Sequence, residues 1–177
     1  MDPRRIWCLC SCVVLLAFSW ARAAPPELPF WISSPAFGEG KPIPPKYGFH
    51  QQNISPELRV EKIPAGTRSL ALIVDDPDAP AGLWTHWLVW NLPADTTSIP
   101  EGKLPSGAIQ GKNSFGNVRY DGPAPPSGTG KHRYFFRLYA LQTMLSLPAG
   151  SSRGALEAAM SRQYKVECET FGVYSAP

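Results

Sequence analysis

Three apolar runs dominate the middle of the chain. Residues 69–74 lead into Asp-Asp-Pro at 75–77, residues 85–92 end before Pro93, and residues 133–141 form the third run. Near-continuous apolar runs of this length are typical of strands buried on both faces, and proline cannot donate to a sheet ladder. The pattern therefore predicts three strands at the centre of one sheet.

Weaker patterns flank these runs. Residues 165–170 alternate with a period of two, which predicts a strand with Val166 and Cys168 facing inward. The proline-rich residues 24–45 predict an opening arm with one strand at residues 28–32. A short helix is predicted after the possible N-caps Ser151 and Ser152, with an apolar face of Ala155, Leu156, Ala159 and Met160. Together these elements predict an all-β dominated chain, an antiparallel β-sandwich with a minor helix.

Composition agrees with short strands and excludes one class of function. The 177 residues include 20 prolines and 15 glycines, and proline is excluded from helix interiors, so long helices are not expected. The formal net charge is only +3, and Lys and Arg are scattered along the chain. We therefore expect no nucleic-acid interface.

The first 23 residues have the pattern of a secretory signal peptide. Arg4 and Arg5 precede an apolar run over residues 6–20, and Ala21-Arg22-Ala23 provides a small-x-small cleavage pattern. A membrane anchor is the alternative, but the run is shorter than the roughly 20 residues that span a bilayer. An acylated Cys12 is also disfavoured, because little apolar sequence separates it from Arg5. The prediction is export to the periplasm or the medium, with the choice between Sec and Tat routes left open.

Removal of the signal would leave residues 24–177 as a single domain with one cysteine, Cys168. An internal disulfide is then impossible, so a hydrophobic core must hold the domain. Cys168 itself is predicted to be a core thiol.

Several polar residues fall at the ends of the predicted strands. Strict alternation places Trp84, His86, Leu88 and Trp90 on one face of the second central strand. It also places His132 and Tyr134 together on the third strand, and Asp76 at the closing end of the first. Because the end of one antiparallel strand lies beside the start of its neighbour, Asp76, His86 and His132 can converge. Each residue taken alone also has an ordinary structural explanation.

Ordered motifs resemble those of the phosphatidylethanolamine-binding protein family, also called Raf-kinase-inhibitor-like proteins. The two main blocks are Asp-Pro-Asp-Ala-Pro at residues 76–80 and Gly-Lys-His-Arg-Tyr at residues 130–134, with Trp-Thr-His-Trp at residues 84–87 between them. Further matches, including Phe115-Gly116 and residues 120–126, resemble the bacterial-type branch. The resemblance covers nearly all of residues 24–177.

The resemblance implies a Greek-key β-sandwich with a small anion pocket at one edge. The ligand-binding residues carried over by motif are Asp76, Pro80, Trp84, His86, Tyr120, Gly122, Pro126, His132 and Tyr134. The histidines and tyrosines would donate hydrogen bonds to phosphate oxygens, with backbone N–H groups of the Gly-rich turn. Asp76 would orient a histidine or receive the ammonium of a zwitterionic headgroup, and Asp78 with Arg133 would form a structural ion pair below the site.

The chain departs from animal members of the family at two places. Ala124 stands where they have a glycine, and the longer C-terminal helix that brings an aromatic residue to their pocket rim has no clear counterpart here. We therefore assign no role to Tyr174. Kinase inhibition and control of flowering belong to other branches and are not carried over.

Three functional hypotheses remain. The first is a non-catalytic protein that binds a small anionic or phosphorylated ligand, such as a phosphoethanolamine-type headgroup, without stable membrane insertion. The second is a protein inhibitor or signalling partner that uses the pocket rim and the Pro-rich residues 122–130. The third is an enzyme or metal protein, disfavoured because the sequence lacks nucleophile-elbow, phosphate-loop and short-range metal-ligand motifs. No catalytic residue, metal or cofactor is assigned.

Overall fold

The computed structural model describes residues 29–176, so the predicted signal peptide at residues 1–23 lies outside the described residues. The described part forms β1 (Trp31–Ser33), β2 (Leu58–Glu61), β3 (Ser69–Asp76), β4 (Trp84–Pro93), β5 (Ser98–Ile99), β6 (Ile109–Gln110), β7 (Lys131–Leu141), α1 (Arg153–Met160) and β8 (Tyr164–Ser175). A 3-10 helix covers Pro45–Tyr47.

The strands form two antiparallel sheets. One has three strands in the order β1-β2-β5, and the other has five in the order β6-β4-β3-β7-β8. The three strands predicted from the apolar runs are β3, β4 and β7, and they lie at the centre of the larger sheet. The predicted mostly-β antiparallel architecture is therefore confirmed.

Both faces of the larger sheet are covered, which explains why its central strands are apolar throughout. Between the two sheets, Leu72 and Val74 of β3 pack with Phe136 of β7 and with Leu58 and Val60 of β2. On the opposite face, a second cluster forms under α1. Its buried members are Ala71, Ile73, Leu88, Trp90, Leu141, Leu145, Leu156 and Met160.

Helix α1 begins where the sequence predicts it. The Ser152 hydroxyl accepts a hydrogen bond from the backbone N–H of Ala155 at 3.3 Å, as an N-cap does. Leu156 and Met160 are buried against the sheet. The helix is also held through Arg153, whose guanidinium donates to the buried carboxylate of Asp75.

Asp75 is the centre of a polar network on this face. Its carboxylate, fully buried, also accepts from Arg137 at 3.0 Å and from the Thr85 hydroxyl at 3.1 Å. Arg137 also donates to the carboxylate of Glu169, and Arg153 also donates to that of Glu157 within α1. Because both guanidinium groups and the hydroxyl satisfy the carboxylate, the closing end of β3 is tied to β4, β7 and α1.

Within its described residues, 29–45, the predicted opening arm runs from the smaller sheet to the edge of β8, and its strand differs from the prediction. The strand is Trp31–Ser33 rather than residues 28–32, and it pairs with β2. Further along, Pro42 forms a parallel bridge with Val173 of β8, and the backbone of Ile43 donates to the Val173 carbonyl at 2.8 Å. The arm thereby covers the β8 edge at residues 171–173.

Val166 and Cys168 share one face of β8, as predicted, but only Cys168 packs against the core. Cys168 lies opposite Leu138 of β7, and burial raises the pKa of its thiol to about 12. Val166 is 37% exposed although it shares that face, because it lies near the start of the edge strand. Alternation assigns a face, but at a sheet edge that face need not be covered.

Candidate functional site

Strand ends bring the predicted residues to one end of the larger sheet. Asp76 closes β3, Trp84 and His86 open β4, and His132 lies one residue into β7. Asp76 lies opposite Trp84 in the β3–β4 pairing. The convergence of Asp76, His86 and His132 follows from this antiparallel arrangement.

These side chains surround a cavity of about 220 Å³, which is smaller than a typical pocket for a drug-sized ligand. The cavity is mostly apolar. It is lined by Asp76, Ala79, Pro80, Ala81, Trp84, His86, Phe115, Ala124, Pro126 and His132.

A β-bulge sets the direction of His86. Thr85 pairs with Asp75 and Trp87 pairs with Val74, so His86 is an extra residue in β4. The prediction that His86 shares a face with Leu88 and Trp90 is therefore wrong. Those two side chains pack on the α1 face, whereas His86 packs against Tyr134 with ring centroids 5.1 Å apart.

The carbonyl of Asp121 holds the His86 ring in place. His86 Nδ1 lies 2.7 Å from that oxygen, and because a carbonyl only accepts, the ring donates through Nδ1–H. His86 is 2% exposed, and this burial lowers the pKa of its imidazole against smaller opposing effects of the Asp121 carbonyl and the Asp76 charge. The ring is therefore neutral near pH 7.

His132 is bonded at both ring nitrogens. Its Nδ1 lies 2.7 Å from Asp76 Oδ2, and its Nε2 lies 2.9 Å from the Thr129 hydroxyl. Thr129 in turn donates to the Pro126 carbonyl at 2.7 Å, which closes the turn before β7. The other Asp76 oxygen accepts from the backbone N–H of Asp78 at 2.8 Å.

The segment that carries the Asp121 carbonyl is anchored by the carboxylate of the same residue. The Asp121 side chain is fully buried and makes hydrogen bonds of 2.8 to 3.1 Å. Burial would raise the pKa of this carboxyl, but hydrogen bonds from neighbouring amides hold it below its usual value. The donors are Asn53, Asn113, Asn117 and Arg119.

Three of the residues predicted to bind ligand do not line the cavity. The Tyr120 hydroxyl donates to the Tyr47 carbonyl at 3.2 Å, and the Gly122 N–H donates to Asn53 Oδ1 at 2.7 Å. Tyr134 is buried beside His86, and its hydroxyl has no hydrogen-bond partner among residues 29–176. Burial, reinforced by the nearby Asp76 charge, strongly raises the pKa of this phenol, so it stays protonated.

Asp78 and Arg133 form a bidentate ion pair beside the cavity. Arg133 Nη2 and Nε donate to the two carboxylate oxygens at 2.6 and 2.8 Å, and the Arg133 backbone N–H adds a third bond at 2.9 Å. These bonds lower the pKa of Asp78 to about 2. The pair joins the β3–β4 loop to the start of β7.

Five residues at the site are absent from the predicted set: Ala79, Ala81, Phe115, Ala124 and Thr129. Phe115 stacks on Phe49 with centroids 4.7 Å apart and meets Trp84 edge-on at 5.4 Å. Phe115 and Ala124 lie inside the motifs that carry the family resemblance, but nothing in the local sequence shows that their side chains reach the cavity. Ala79 and Ala81 flank the predicted Pro80 and were detectable only by that proximity.

Among residues 29–176, no three His, Cys, Asp or Glu side chains are grouped as a metal site would require.

A family model described as phosphatidylethanolamine-binding protein matches residues 33–174. The chain belongs to the phosphatidylethanolamine-binding protein family. The match includes both central motifs and every residue that lines the cavity.

Similar proteins and solved structures support the same family assignment. A UPF0098 protein from Methanothermobacter thermautotrophicus is 46% identical over 144 residues, covering 78% of this chain and 94% of the relative. Escherichia coli YbcL, described as a member of the mammalian PEBP family, superposes with a TM-score of 0.79 at 33% identity, covering 84% of this chain and 99% of YbcL. The PEBP homologue CT736 from Chlamydia trachomatis has a TM-score of 0.77 at 39% identity, with coverage of 82% and 97%.

Proposed function

We propose that this member of the phosphatidylethanolamine-binding protein family is an exported, non-catalytic protein that binds a small anionic or phosphorylated ligand. The observation that carries the proposal is the 220 Å³ cavity, in which two buried histidines and Asp76 meet at one end of the sheet. Buried titratable groups in a concave, otherwise apolar site are typical of ligand pockets.

The assigned residues take two roles in this proposal. Those in contact with ligand are Asp76, Pro80, Trp84, His86, Pro126 and His132. Tyr120, Gly122 and Tyr134 support the cavity from behind, through the contacts described above. A phosphoethanolamine-type headgroup matches the cavity volume, and its ammonium could pair with Asp76.

Hydrogen-bond directions at Thr129 support binding rather than catalysis. Thr129, His132 and Asp76 have the spacing of a nucleophile, a base and an orienting acid. In such a triad the nucleophile donates its proton to the base, whereas here Thr129 donates to the Pro126 carbonyl and so accepts from His132. We therefore expect no hydrolysis of p-nitrophenyl acetate or p-nitrophenyl phosphate above the level of a His132→Ala variant. Hydrolysis by the wild type that the Thr129→Val substitution abolishes would contradict this expectation.

Export rests on the signal pattern at residues 1–23 and on one relative. A Mycobacterium tuberculosis protein 43% identical over 129 residues has a name that describes it as a lipoprotein, LppC. The helices within residues 29–176 are too short or too polar to cross a membrane. Fractionation of cells that express the full chain tests the proposal, and a product confined to the cytosol with an uncleaved N-terminus would contradict it.

Calorimetric titration of residues 24–177 with phosphate and phosphoethanolamine tests the binding function. We expect saturable binding that His86→Ala and His132→Ala weaken. His50→Ala is the matched control, because His50 is an exposed histidine outside the cavity. Absence of binding to either compound would overturn the proposal and favour a protein partner at residues 122–130.

A further inference from the structure

A second cavity, of about 270 Å³, lies beside the core between the two sheets. Within residues 29–176, it has no lining residue in common with the first cavity, the one that contains His86 and His132. Its walls are the loop before β2, the loop between β5 and β6 and the segment before β7, and β4 and β6 contribute one residue each. The two cavities are therefore separate sites.

Apolar side chains form the inner part of the second cavity. Trp87 and Tyr120 are buried in the core between the sheets and meet edge-on, with ring centroids 5.4 Å apart. Ile54 and Leu104 pack against the same core and remain partly exposed. Because an apolar cavity of about 150 Å³ can hold benzene, the second cavity has room for one ring and a polar group attached to it.

Two amide side chains in this cavity have their oxygens already engaged. Gln110 Oε1 accepts from Trp87 Nε1–H at 2.7 Å, and the Gln110 NH₂ group makes no hydrogen bond within residues 29–176. Asn53 Oδ1 accepts from the Gly122 N–H at 2.7 Å, while Asn53 Nδ2 donates to Asp121 at 3.0 Å. The amide group that Gln110 still offers a ligand is therefore a donor.

Two cations lie at the exposed rim. Arg119 Nε donates to the Asp121 carboxylate at 3.1 Å, but its two Nη groups make no hydrogen bond within residues 29–176. Lys103 is exposed and forms no ion pair with these residues. No carboxylate is among the described residues that line the cavity, and the neighbouring Glu101 is paired with Lys46. The rim therefore carries positive charge that the protein does not fully neutralise.

A buried hydroxyl adds a second, independent observation. Ser55 lines the cavity and is only 4% exposed, yet its Oγ makes no hydrogen bond within residues 29–176. Its backbone carbonyl is engaged, because it accepts from the Gly102 N–H at 3.0 Å. A nearly buried hydroxyl without a protein partner is uncommon in native proteins, and it indicates that another molecule completes its hydrogen bonding.

We propose that the second cavity binds small carboxylic acids that have an apolar body, such as arylalkanoic acids. The carboxylate binds between Lys103 and Arg119, and the apolar body packs against Ile54 and Leu104. A carboxylate only accepts hydrogen bonds, which matches two cations and a free amide NH₂ group. The inference goes beyond the proposed function, because it concerns a different cavity and a different class of ligand.

NMR shows which cavity a ligand enters. Trp87 lines the second cavity and Trp84 lines the first, so their assigned indole N–H signals report on the two sites separately. We expect phenylacetate to shift the Trp87 signal of residues 24–177 in a saturable way. No shift of the Trp87 signal up to about 10 mM phenylacetate, or a shift confined to Trp84, would overturn the proposal.

Two related compounds test the class of ligand. Phenylacetamide has the shape of phenylacetate without its charge, and acetate has the charge without the ring. Phenylacetate should bind at least about fivefold more tightly than either compound, as measured by the Trp87 shift. Equal affinity for phenylacetamide would show that charge is not recognised, and equal affinity for acetate would show that the apolar body is not. Either result would overturn the proposed class.

Substitutions at the rim test the assigned residues. Lys103→Gln should weaken phenylacetate binding about threefold, and the Lys103→Gln, Arg119→Gln double variant should weaken it at least about tenfold. Lys112→Gln is the matched control, because Lys112 is an exposed lysine outside the cavity. Asp121 keeps three amide donors without Arg119, and thermal unfolding checks that the double variant is folded. Undiminished affinity in the folded double variant would contradict the assignment.

Ser55→Ala separates a ligand contact from a structural role. The Ser55 hydroxyl has no protein partner to lose, so its removal should leave Tm unchanged or raise it, while phenylacetate binding weakens about twofold to threefold. A lower Tm with unchanged affinity would assign the hydroxyl to the fold and contradict its place in the site.

The variant His86→Ala separates this inference from the proposed function. It should weaken phosphate binding at the first cavity and leave the affinity for phenylacetate within about twofold of the wild type. Loss of phenylacetate binding in a folded His86→Ala variant would place the acid in the first cavity and overturn the second site. Absence of phosphate binding, with the Trp87 shift retained, would overturn the proposed function alone.

Discussion

Gly122 is the position at which the smallest change should have a large effect. A Cβ at Gly122 would lie 1.9 Å from the Tyr47 carbonyl oxygen and 2.9 Å from its carbonyl carbon. Both are backbone atoms, so the rotation of a side chain cannot relieve the close contact. To restore ordinary contact, the segments at Tyr47 and Gly122 would have to separate by roughly 1.5 Å.

The cost of Gly122→Ala follows from that separation. Overpacking a filled site costs about 1–3 kcal/mol, and loss of the hydrogen bond from Gly122 N–H to Asn53 adds about 1 kcal/mol. We therefore expect a loss of about 2–4 kcal/mol in the free energy of unfolding, or roughly 5–15 °C in Tm. Ligand affinity should also fall, because the adjacent Asp121 carbonyl orients His86.

Urea denaturation and thermal scans measure this effect, and Gly154→Ala is the matched control. Gly154 lies in α1 with no atom within 4 Å of its added Cβ, so the same substitution should stabilise the protein by up to about 1 kcal/mol. A Gly122→Ala variant within about 0.5 kcal/mol of the wild type would refute the reasoning from close contact.

Three further predictions concern other parts of the domain. Asn91→Ala should lower the free energy of unfolding, measured by urea denaturation, by about 3 kcal/mol. The Asn91 side-chain amide accepts from the N–H of buried Leu145 and donates to its carbonyl, and Asn91 itself has a φ of 58°. A loss below about 1 kcal/mol would contradict this. Asp78→Asn should remove stability that the wild type has above pH 3.8 and loses as the pH falls through about 2, so the two proteins should differ near neutral pH and converge in strong acid. A stability difference between the two proteins that grows as the pH falls would contradict this prediction. The Cys168 thiol, with a pKa raised to about 12, should react slowly with Ellman's reagent until the protein unfolds, and rapid reaction of the native protein would contradict its burial.

The central strands are predictable because burial on both faces leaves a simple signal. β3 has an apolar run over residues 69–74, and all eight residues of the strand are buried. The strands β5 and β6 have two residues each and are too short to show any periodicity. They form because the loops around β2 and β4 bring them to a sheet edge, which is a tertiary effect.

The candidate site is predictable in its central residues, but not in its full lining or in its hydrogen bonds. Motif and strand-end position identify Asp76, His86 and His132. The bulge that turns His86 away from the face of Leu88 depends on the pairing with β3, which alternation within β4 cannot show. The carbonyl that fixes the tautomer of His86 belongs to a residue 35 positions away. Sequence therefore indicates which groups meet, but not which of them still has a proton to donate.

The network around Asp75 has a consequence for how the pocket can change in evolution. Asp75 and Asp76 are neighbours in β3 that point to opposite faces of the sheet, and the same is true of Thr85 and His86 in β4. The pocket wall formed by β3 and β4 is therefore held from the opposite face, where Arg137 and Arg153 donate to Asp75. The facing wall, at residues 124–128, contains no helix or strand. The strand wall is fixed by the fold, whereas these five residues include neither Gly122, which packs against Tyr47, nor Thr129, which bonds His132. We expect exchange of residues 124–128 between relatives to transfer ligand size preference without changing how Asp121 orients His86.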